Sequence, residues 1–268
     1  MSTYSLICTD IDGTLFRDDL SISARNRQAL QDAIQAGYHV ALVSGRSASN
    51  LQAIAHQLGI TTSVGSFNGA LTLSEEAVIL DQRPIDYQDA VLALDDLAHT
   101  ELEFFLYTNL GWYSQGETRW HEIEESITGI KGSVAPLREL EEHLTGEEIP
   151  LKLLAMHHDD SYISRMTATL EEHFAGRLNI FNSHPNYIEI LPPSAHKGRS
   201  VEALTKHYGI TREQVMVIGD YFNDVPMFEA AGLAIAMGNA PAGVQEKAHR
   251  ITASNGEDGL ALALESVL

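Results

Sequence analysis

Two carboxylates one residue apart close the first apolar run of the chain, where Tyr4 to Ile7 leads into Cys8-Thr9-Asp10-Ile11-Asp12-Gly13-Thr14. A second acidic group closes a run near the other end, Val215-Met216-Val217-Ile218-Gly219-Asp220-Tyr221-Phe222-Asn223-Asp224. A carboxylate at the exit of a buried strand is costly to desolvate unless a cation or hydrogen-bond donors compensate. The pattern therefore implies one divalent-metal site, assembled from segments far apart in the sequence. The chemistry such a set suits is phosphoryl transfer, which needs a nucleophile, a proton donor for the leaving group and cations for the phosphoryl oxygens. Asp10 is the candidate nucleophile, since a carboxylate held in line with phosphorus forms an acyl phosphate. Asp12 is placed to protonate the leaving alcohol and then to deprotonate the attacking water. Asp220 would complete a Mg²⁺ site, because hard oxygen ligands suit that ion. Ser44 can donate its hydroxyl to the phosphoryl group, and Lys197 can supply balancing positive charge. Asn223 and Asp224 can orient phosphate or the metal shell. Ile11, Gly45, Arg46 and Asn68 are further candidates for contact with phosphate.

Each of these has a plainer reading. The opening acids could mark an ordinary strand-to-turn exit, and Lys197 could be a solvated helix residue. Asn223 could cap the following helix, and Asn68-Gly69 could be only a tight turn. The ordered set carries more weight than any one member.

The elements needed to position these residues are legible around them. Tyr4–Asp10, His39–Val43 and Thr62–Phe67 read as strands. Helical spacing runs through Ala29, Leu30, Ala33 and Ile34, with Ser23 as N-cap and Gly37 as stop. It recurs at Leu51, Ile54, Ala55 and Leu58, ended by Gly59. Strands separated by amphipathic helices predict a parallel sheet with helices on both faces, and ligands gather beyond the carboxyl ends of such strands. After Arg83-Pro84 the order becomes mixed. Helices over Asp86–Ala98, Trp120–Ile127, Leu137–Leu144 and Tyr162–Phe174 alternate with strands over Leu102–Tyr107, Leu151–Met156, Leu178–Asn182 and Tyr187–Leu191. The α/β rhythm resumes after Leu191-Pro192-Pro193. A helix then covers Val201–Tyr208, strands cover Gln214–Ile218, Leu233–Ala236 and His249–Thr252, and helices cover Val225–Ala230 and Asp258–Val267. The expectation is a Rossmann-like core from residues 1–83 and 193–268, with an inserted α+β domain over 84–192 that chooses the substrate.

Composition narrows the partners. The chain has 268 residues, 44% of them hydrophobic, which is ample for a core. Against 37 acidic residues stand 17 Lys and Arg, a formal charge of −20, which argues against nucleic acid or an anionic membrane as a partner. A small phosphorylated metabolite is not excluded, because a local cation can reverse the potential in one pocket. A single cysteine, Cys8, excludes an intrachain disulfide and fits a reducing compartment; its place in the first strand makes it a core residue. No apolar stretch approaches the ~20 residues of a membrane span, and no secretion signal is visible, so a cytoplasmic monomer or homodimer is expected. None of the twelve histidines shows zinc-helix spacing with a nearby acid. Tyr107, Trp112 and Tyr113 could stack on a substrate, but packing inside the inserted domain is the expected role.

Taken in order, these motifs resemble the haloacid dehalogenase-like superfamily of hydrolases, and within it the Cof-type sugar phosphatases. The DxDGT motif falls on Asp10, Asp12, Gly13 and Thr14. The strand-closing Ser falls on Ser44, the Asn-Gly element on Asn68-Gly69, the lysine on Lys197, and GDxxND on Gly219, Asp220, Asn223 and Asp224. The resemblance implies a Rossmann-like core with a large α+β cap between the second and third motifs. It also implies Mg²⁺ held by Asp10, the backbone carbonyl of Asp12, and Asp220, and an aspartyl-phosphate intermediate. A phosphomutase with the same intermediate and a poorly turning-over phosphometabolite sensor are the alternatives. One departure is the bulk of Tyr221 and Phe222, where a small polar residue is often found after the aspartate; it is expected to alter the metal's outer shell or the pocket floor.

Overall fold

A computed structural model describes residues 4–144 and 148–268. The chain divides into two units, Met1–Gln82 with His196–Leu268, and Arg83–Ala195.

The first unit is built on an eight-stranded sheet. Its order is Arg250–Ile251, Leu233–Ala236, Val215–Gly219, Leu6–Thr9, His39–Val43, Ser63–Ser66, Leu71–Leu73 and Ile79–Gln82. The first six strands run parallel. Leu6–Thr9 lies in the middle, with Thr9 opposite both Ile218 and Leu42, so Asp10, Ser44 and Asp220 leave the sheet at the same edge. The strands Leu6–Thr9, Val215–Gly219 and Leu233–Ala236 are buried on both faces, as their near-continuous apolar runs predict. On one face Leu6, Cys8, Ala41, Val43, Val215 and Val217 pack against Val201 and Leu204 of the helix Lys197–His207, and against Met227 and Phe228 of Val225–Glu229. Helices Ala24–Gln35 and Gly259–Glu265 pack on each other, and the former also packs on His39–Val43. Cys8 is fully buried, in keeping with a core role.

Local signals explain the boundaries. Ser23 Oγ accepts from Asn26 N at 3.0 Å to start Ala24–Gln35, and Ser47 Oγ accepts from Asn50 N to start Ala48–Leu58. Gly59 ends the latter in the left-handed conformation.

The sheet is not wholly parallel, however. Leu71–Leu73 and Ile79–Gln82 add antiparallel to its edge. The connection over residues 67–70 is too short for a crossover, so the chain has to double back. Ile79–Gln82 has half-exposed side chains and little alternation to betray it.

The second unit carries a six-stranded sheet ordered Asn179–His184, Tyr187–Leu191, Pro150–Met156, Glu103–Thr108, Trp112–Ser114 and Ser133–Val134. All pairs are antiparallel except the last. Phe104, Leu106, Leu153, Ala155, Ile188 and Ile190 form one face and pack under the helices Tyr87–Ala98 and Asp160–His173. The opposite alternation brings up Phe105, Tyr107, Lys152, Leu154 and Glu189, with Lys152 and Glu189 buried and paired at 2.7 Å. Tyr107 and Trp112 are buried, and Tyr113 packs against the core, so these aromatics serve packing first. The two-residue and three-residue strands at the far edge escape sequence reading because they are too short to show a period.

Among the described residues, no helix is long and apolar enough to cross a membrane.

Candidate active site

Each acidic motif follows a parallel strand, and the first unit brings them together. Asp10 Oδ1 accepts from Lys197 Nζ at 2.6 Å, across 187 positions of sequence, and Asp224 Oδ1 accepts from the same ammonium at 2.5 Å. Lys197 is 1% exposed, which removes the solvated-helix reading. Asp224 Oδ2 accepts from the amides of Asp220 and Tyr221 at 2.8 and 3.0 Å, closing the turn that aims Asp220. Asp224 thus anchors both the lysine and the loop. Asp220 accepts from Thr14 Oγ1 at 3.0 Å.

Gly13 is required by this arrangement. Its φ is +80°, and a Cβ there would fall 2.3 Å from Asp220 Oδ2. Gly69 faces a similar demand, with φ +89° and a Cβ that would meet the His196 carbonyl at 2.2 Å.

Oxygens of Asp10, Asp220 and Asp224 lie within 4.8 Å of one another. Two buried carboxylates and a partly buried third near one ammonium leave an excess of negative charge. Burial, then Asp224, then Asp220 and Asp12 raise the Asp10 carboxyl well above its usual range, with Lys197 opposing. Burial and Asp224 push Asp220 up to about 6, against the Thr14 hydrogen bond and Lys197. Burial alone would lower Lys197, but Asp10 and Asp224 outweigh it and hold the ammonium charged. This donor set, all hard carboxylate oxygen and short of positive charge, fits a divalent cation such as Mg²⁺.

A pH dependence follows from the Asp220 shift. Its carboxyl titrates near 6 in the folded metal-free protein and near 3.8 when unperturbed. The stability it contributes is complete below the lower value and is lost as pH rises through the upper one. Without divalent cations, melting temperature should therefore fall between pH 4 and 6 from this group. Millimolar Mg²⁺ should raise melting temperature more at pH 8 than at pH 5. Equal increments at both pH values in a thermal-shift titration would contradict the assignment.

The other sequence candidates divide. Ser44 is buried, its amide donates to Gly65 O, and its Oγ accepts from Arg46 N at 3.3 Å. Asn68 has φ +52° in the 3₁₀ turn Phe67–Gly69, and its amide donates to Ser44 O. Its side chain lies over Gly45, 3.1 Å from where a Cβ would stand, and accepts from Asn223 Nδ2 at 3.2 Å. Ser44, Gly45, Asn68 and Asn223 therefore form one neighbourhood, and Asn223 binds a side chain rather than capping a helix.

Asp12 is not in the carboxylate group: its side chain is turned to Arg46, which donates to both its oxygens at 2.7 and 2.8 Å. Any part it has in holding metal falls to its backbone carbonyl. Ile11 is fully buried, and its carbonyl accepts from the amides of Thr14 and Phe16, so its side chain takes no part. Tyr221 and Phe222 pack edge-to-face at 5.4 Å and are each more than half exposed.

Two residues were missed as site members. Thr14 stands inside the first motif, which by itself assigns it no role; its hydroxyl holds Asp220. Asn239 donates to Gly13 O at 2.9 Å and reaches Asp220 Oδ2 at 3.4 Å, tying the first acidic loop to the last. It lies on the loop beyond Leu233–Ala236, so the rule of strand carboxyl ends would have found it. Among the described residues, the carboxylate triad is the one group suited to a metal, and it contains no histidine.

A sequence profile of the haloacid dehalogenase-like hydrolases matches residues 7–264. A 5-amino-6-(5-phospho-D-ribitylamino)uracil phosphatase of Bacillus subtilis is 32% identical over 98% of this chain and 97% of its own. The solved structure of a haloacid dehalogenase-like hydrolase from Bacteroides thetaiotaomicron is 28% identical, covers 99% of this chain and 100% of its own, and superposes with a TM-score of 0.88. A subclass IIB sugar phosphatase of the same superfamily, at 19% identity, shares the fold with a TM-score of 0.80 over 98% of each chain.

Proposed function

The chain belongs to the haloacid dehalogenase-like hydrolases and has the fold of their Cof-type branch, and from that premise we propose that it is a Mg²⁺-dependent phosphatase of small phosphomonoesters, sugar phosphates first among them. The observation that carries this reading is the buried Lys197 ammonium between Asp10 and Asp224, at 2.6 and 2.5 Å. A structural ion pair needs one carboxylate. A second, at the exit of a central strand beside a third acid, is the arrangement of a nucleophile held for attack. The phosphatase name of the Bacillus subtilis relative supports the same class and adds a phosphorylated ribityl compound to the substrates to be tried.

Asp10 and Asp220 would hold the Mg²⁺, with the Asp12 carbonyl, while Asp224 contributes charge through oxygens already engaged. The bound ion would neutralise phosphoryl oxygens and lessen the repulsion between an anionic substrate and Asp10. Asp10 Oδ attacks phosphorus as the bond to the leaving oxygen breaks, and the Asp12 carboxyl gives its proton to that oxygen. Asp12, now a carboxylate, takes a proton from water as the water oxygen attacks phosphorus and Asp10 is released. Lys197 keeps Asp10 oriented and offsets charge throughout, and Ser44 donates its hydroxyl to the phosphoryl group.

Phosphate release measured across a panel of phosphorylated sugars, sugar alcohols, nucleotides, pyridoxal phosphate and flavin mononucleotide, with Mg²⁺ and with chelator, tests the proposal. At least one ester should be hydrolysed with Mg²⁺ and none with chelator. In ¹⁸O-water the label should appear in released phosphate. A panel with no phosphate release, or phosphate moved between carbons of a sugar without label, would overturn it.

A further inference from the structure

The guanidinium of Arg46 is committed to Asp12. Its Nε donates to Asp12 Oδ2 at 2.8 Å and its Nη2 to Oδ1 at 2.7 Å, a two-pronged pairing that matches a carboxylate plane. The arginine is itself fixed. Its Nη1 donates to Asn50 Oδ1 at 3.0 Å, and its carbon lies 5.3 Å from the centre of the Phe16 ring. Asn50 is 5% exposed and sits in the first turn of the helix Ala48–Leu58. Phe16 is also buried, and its amide is held by Ile11 O. Asp12, by contrast, is largely exposed, with half of its side-chain surface open to solvent. An exposed carboxylate ordinarily samples several rotamers. Here the buried frame of Asn50 and Phe16 holds Arg46, and Arg46 holds Asp12.

We propose that Arg46 is a positioning residue for Asp12, fixing the carboxyl that passes protons to and from the reacting oxygens, rather than a ligand of the phosphoryl group. This rests on the proposed function, in which Asp12 is the acid and base. The chemistry separates the two roles of Arg46. Formation of phosphoenzyme from 4-nitrophenyl phosphate breaks the bond to a stable phenolate, which leaves without a proton. Hydrolysis of the acyl phosphate still requires a base to take a proton from water.

The test is rapid-quench kinetics of Arg46→Ala and Arg46→Lys with 4-nitrophenyl phosphate and Mg²⁺, alongside inhibition by orthovanadate. In Arg46→Ala, nitrophenolate should appear in a burst of about one equivalent per site at a rate within several-fold of wild type. Steady-state turnover should fall on the order of 10²-fold, within the span of proton-transfer catalysis. Vanadate inhibition should be unchanged within a few-fold, which also reports an intact site. Arg46→Lys should not restore turnover, because an ammonium lacks the planar fork. A burst rate that falls with turnover, or vanadate inhibition weakened tenfold or more, would overturn the proposal and make Arg46 a phosphate ligand. Asp12→Asn separates the premises: it should show the same retained burst and lost turnover. If Asp12→Asn turns over like wild type, the acid–base role fails and the role of Arg46 with it. No nitrophenolate release by the wild type would count against the phosphatase reading instead.

Discussion

Asp10→Asn should abolish phosphate release, by on the order of 10⁴-fold or more, as removal of a nucleophile does where no other group can replace it. The fold should survive. The carboxamide oxygen can still accept from Lys197, whose second partner Asp224 stays in place at 2.5 Å. The substitution also removes the buried carboxyl that its acidic neighbours and its burial raise well above the usual range. Metal-free Asp10→Asn protein should therefore melt no lower than metal-free wild type. Phosphate release measured with the purified variant, together with its melting curve, checks both halves. Turnover at wild-type level would remove Asp10 from the nucleophile's place and with it the covalent route.

Lys197→Met should be costly for the fold as well as for activity. The ammonium is fully buried between Asp10 and Asp224, and removing one partner from a buried ion pair costs about 3–5 kcal/mol, because the opposing charge stays behind without compensation. In this case two carboxylates lose their cation at once. Urea unfolding of the metal-free variant should show a loss of that size. The loss should shrink with Mg²⁺, which supplies positive charge to the same cluster. It should also shrink toward pH 4, where the carboxyls take up protons. A loss under about 1 kcal/mol, or one indifferent to both pH and Mg²⁺, would show that the cluster does not need the lysine's charge.

The two substitutions separate chemistry from structure at one hydrogen bond. Asp10→Asn keeps the geometry and removes the reacting group. Lys197→Met keeps the reacting group and removes what holds it.

Much of this molecule is legible in its chain because local rules act over a few residues. Ser23 and Gly59 mark helix ends by satisfying orphan backbone groups, and the structure uses them in those ways. The apolar runs before Asp10, Ser44 and Asp220 mark parallel strands, since a strand buried on both faces cannot alternate. What was not legible shares a different cause. The edge strand Ile79–Gln82 and the short strands Trp112–Ser114 and Ser133–Val134 owe their state to neighbours across the sheet rather than to their own pattern. The exposure of Tyr221 and Phe222 is set by the turn around Asp224, which side-chain bulk does not reveal. Lys152 and Glu189 could be paired only once strand order was known.

The residue types and their order along the chain thus determined the class of chemistry: acids at strand exits, a serine, a lysine and a final acidic turn. They did so because desolvating such groups at those places demands a cation and a purpose. The tertiary structure decided which group does what. It set Lys197 between Asp10 and Asp224, turned Asp12 to Arg46, and brought Thr14 and Asn239 onto Asp220. Those choices depend on contacts spanning from 19 to 206 positions, and the distance between side chains so far apart in sequence is fixed only when the sheet aligns its strands.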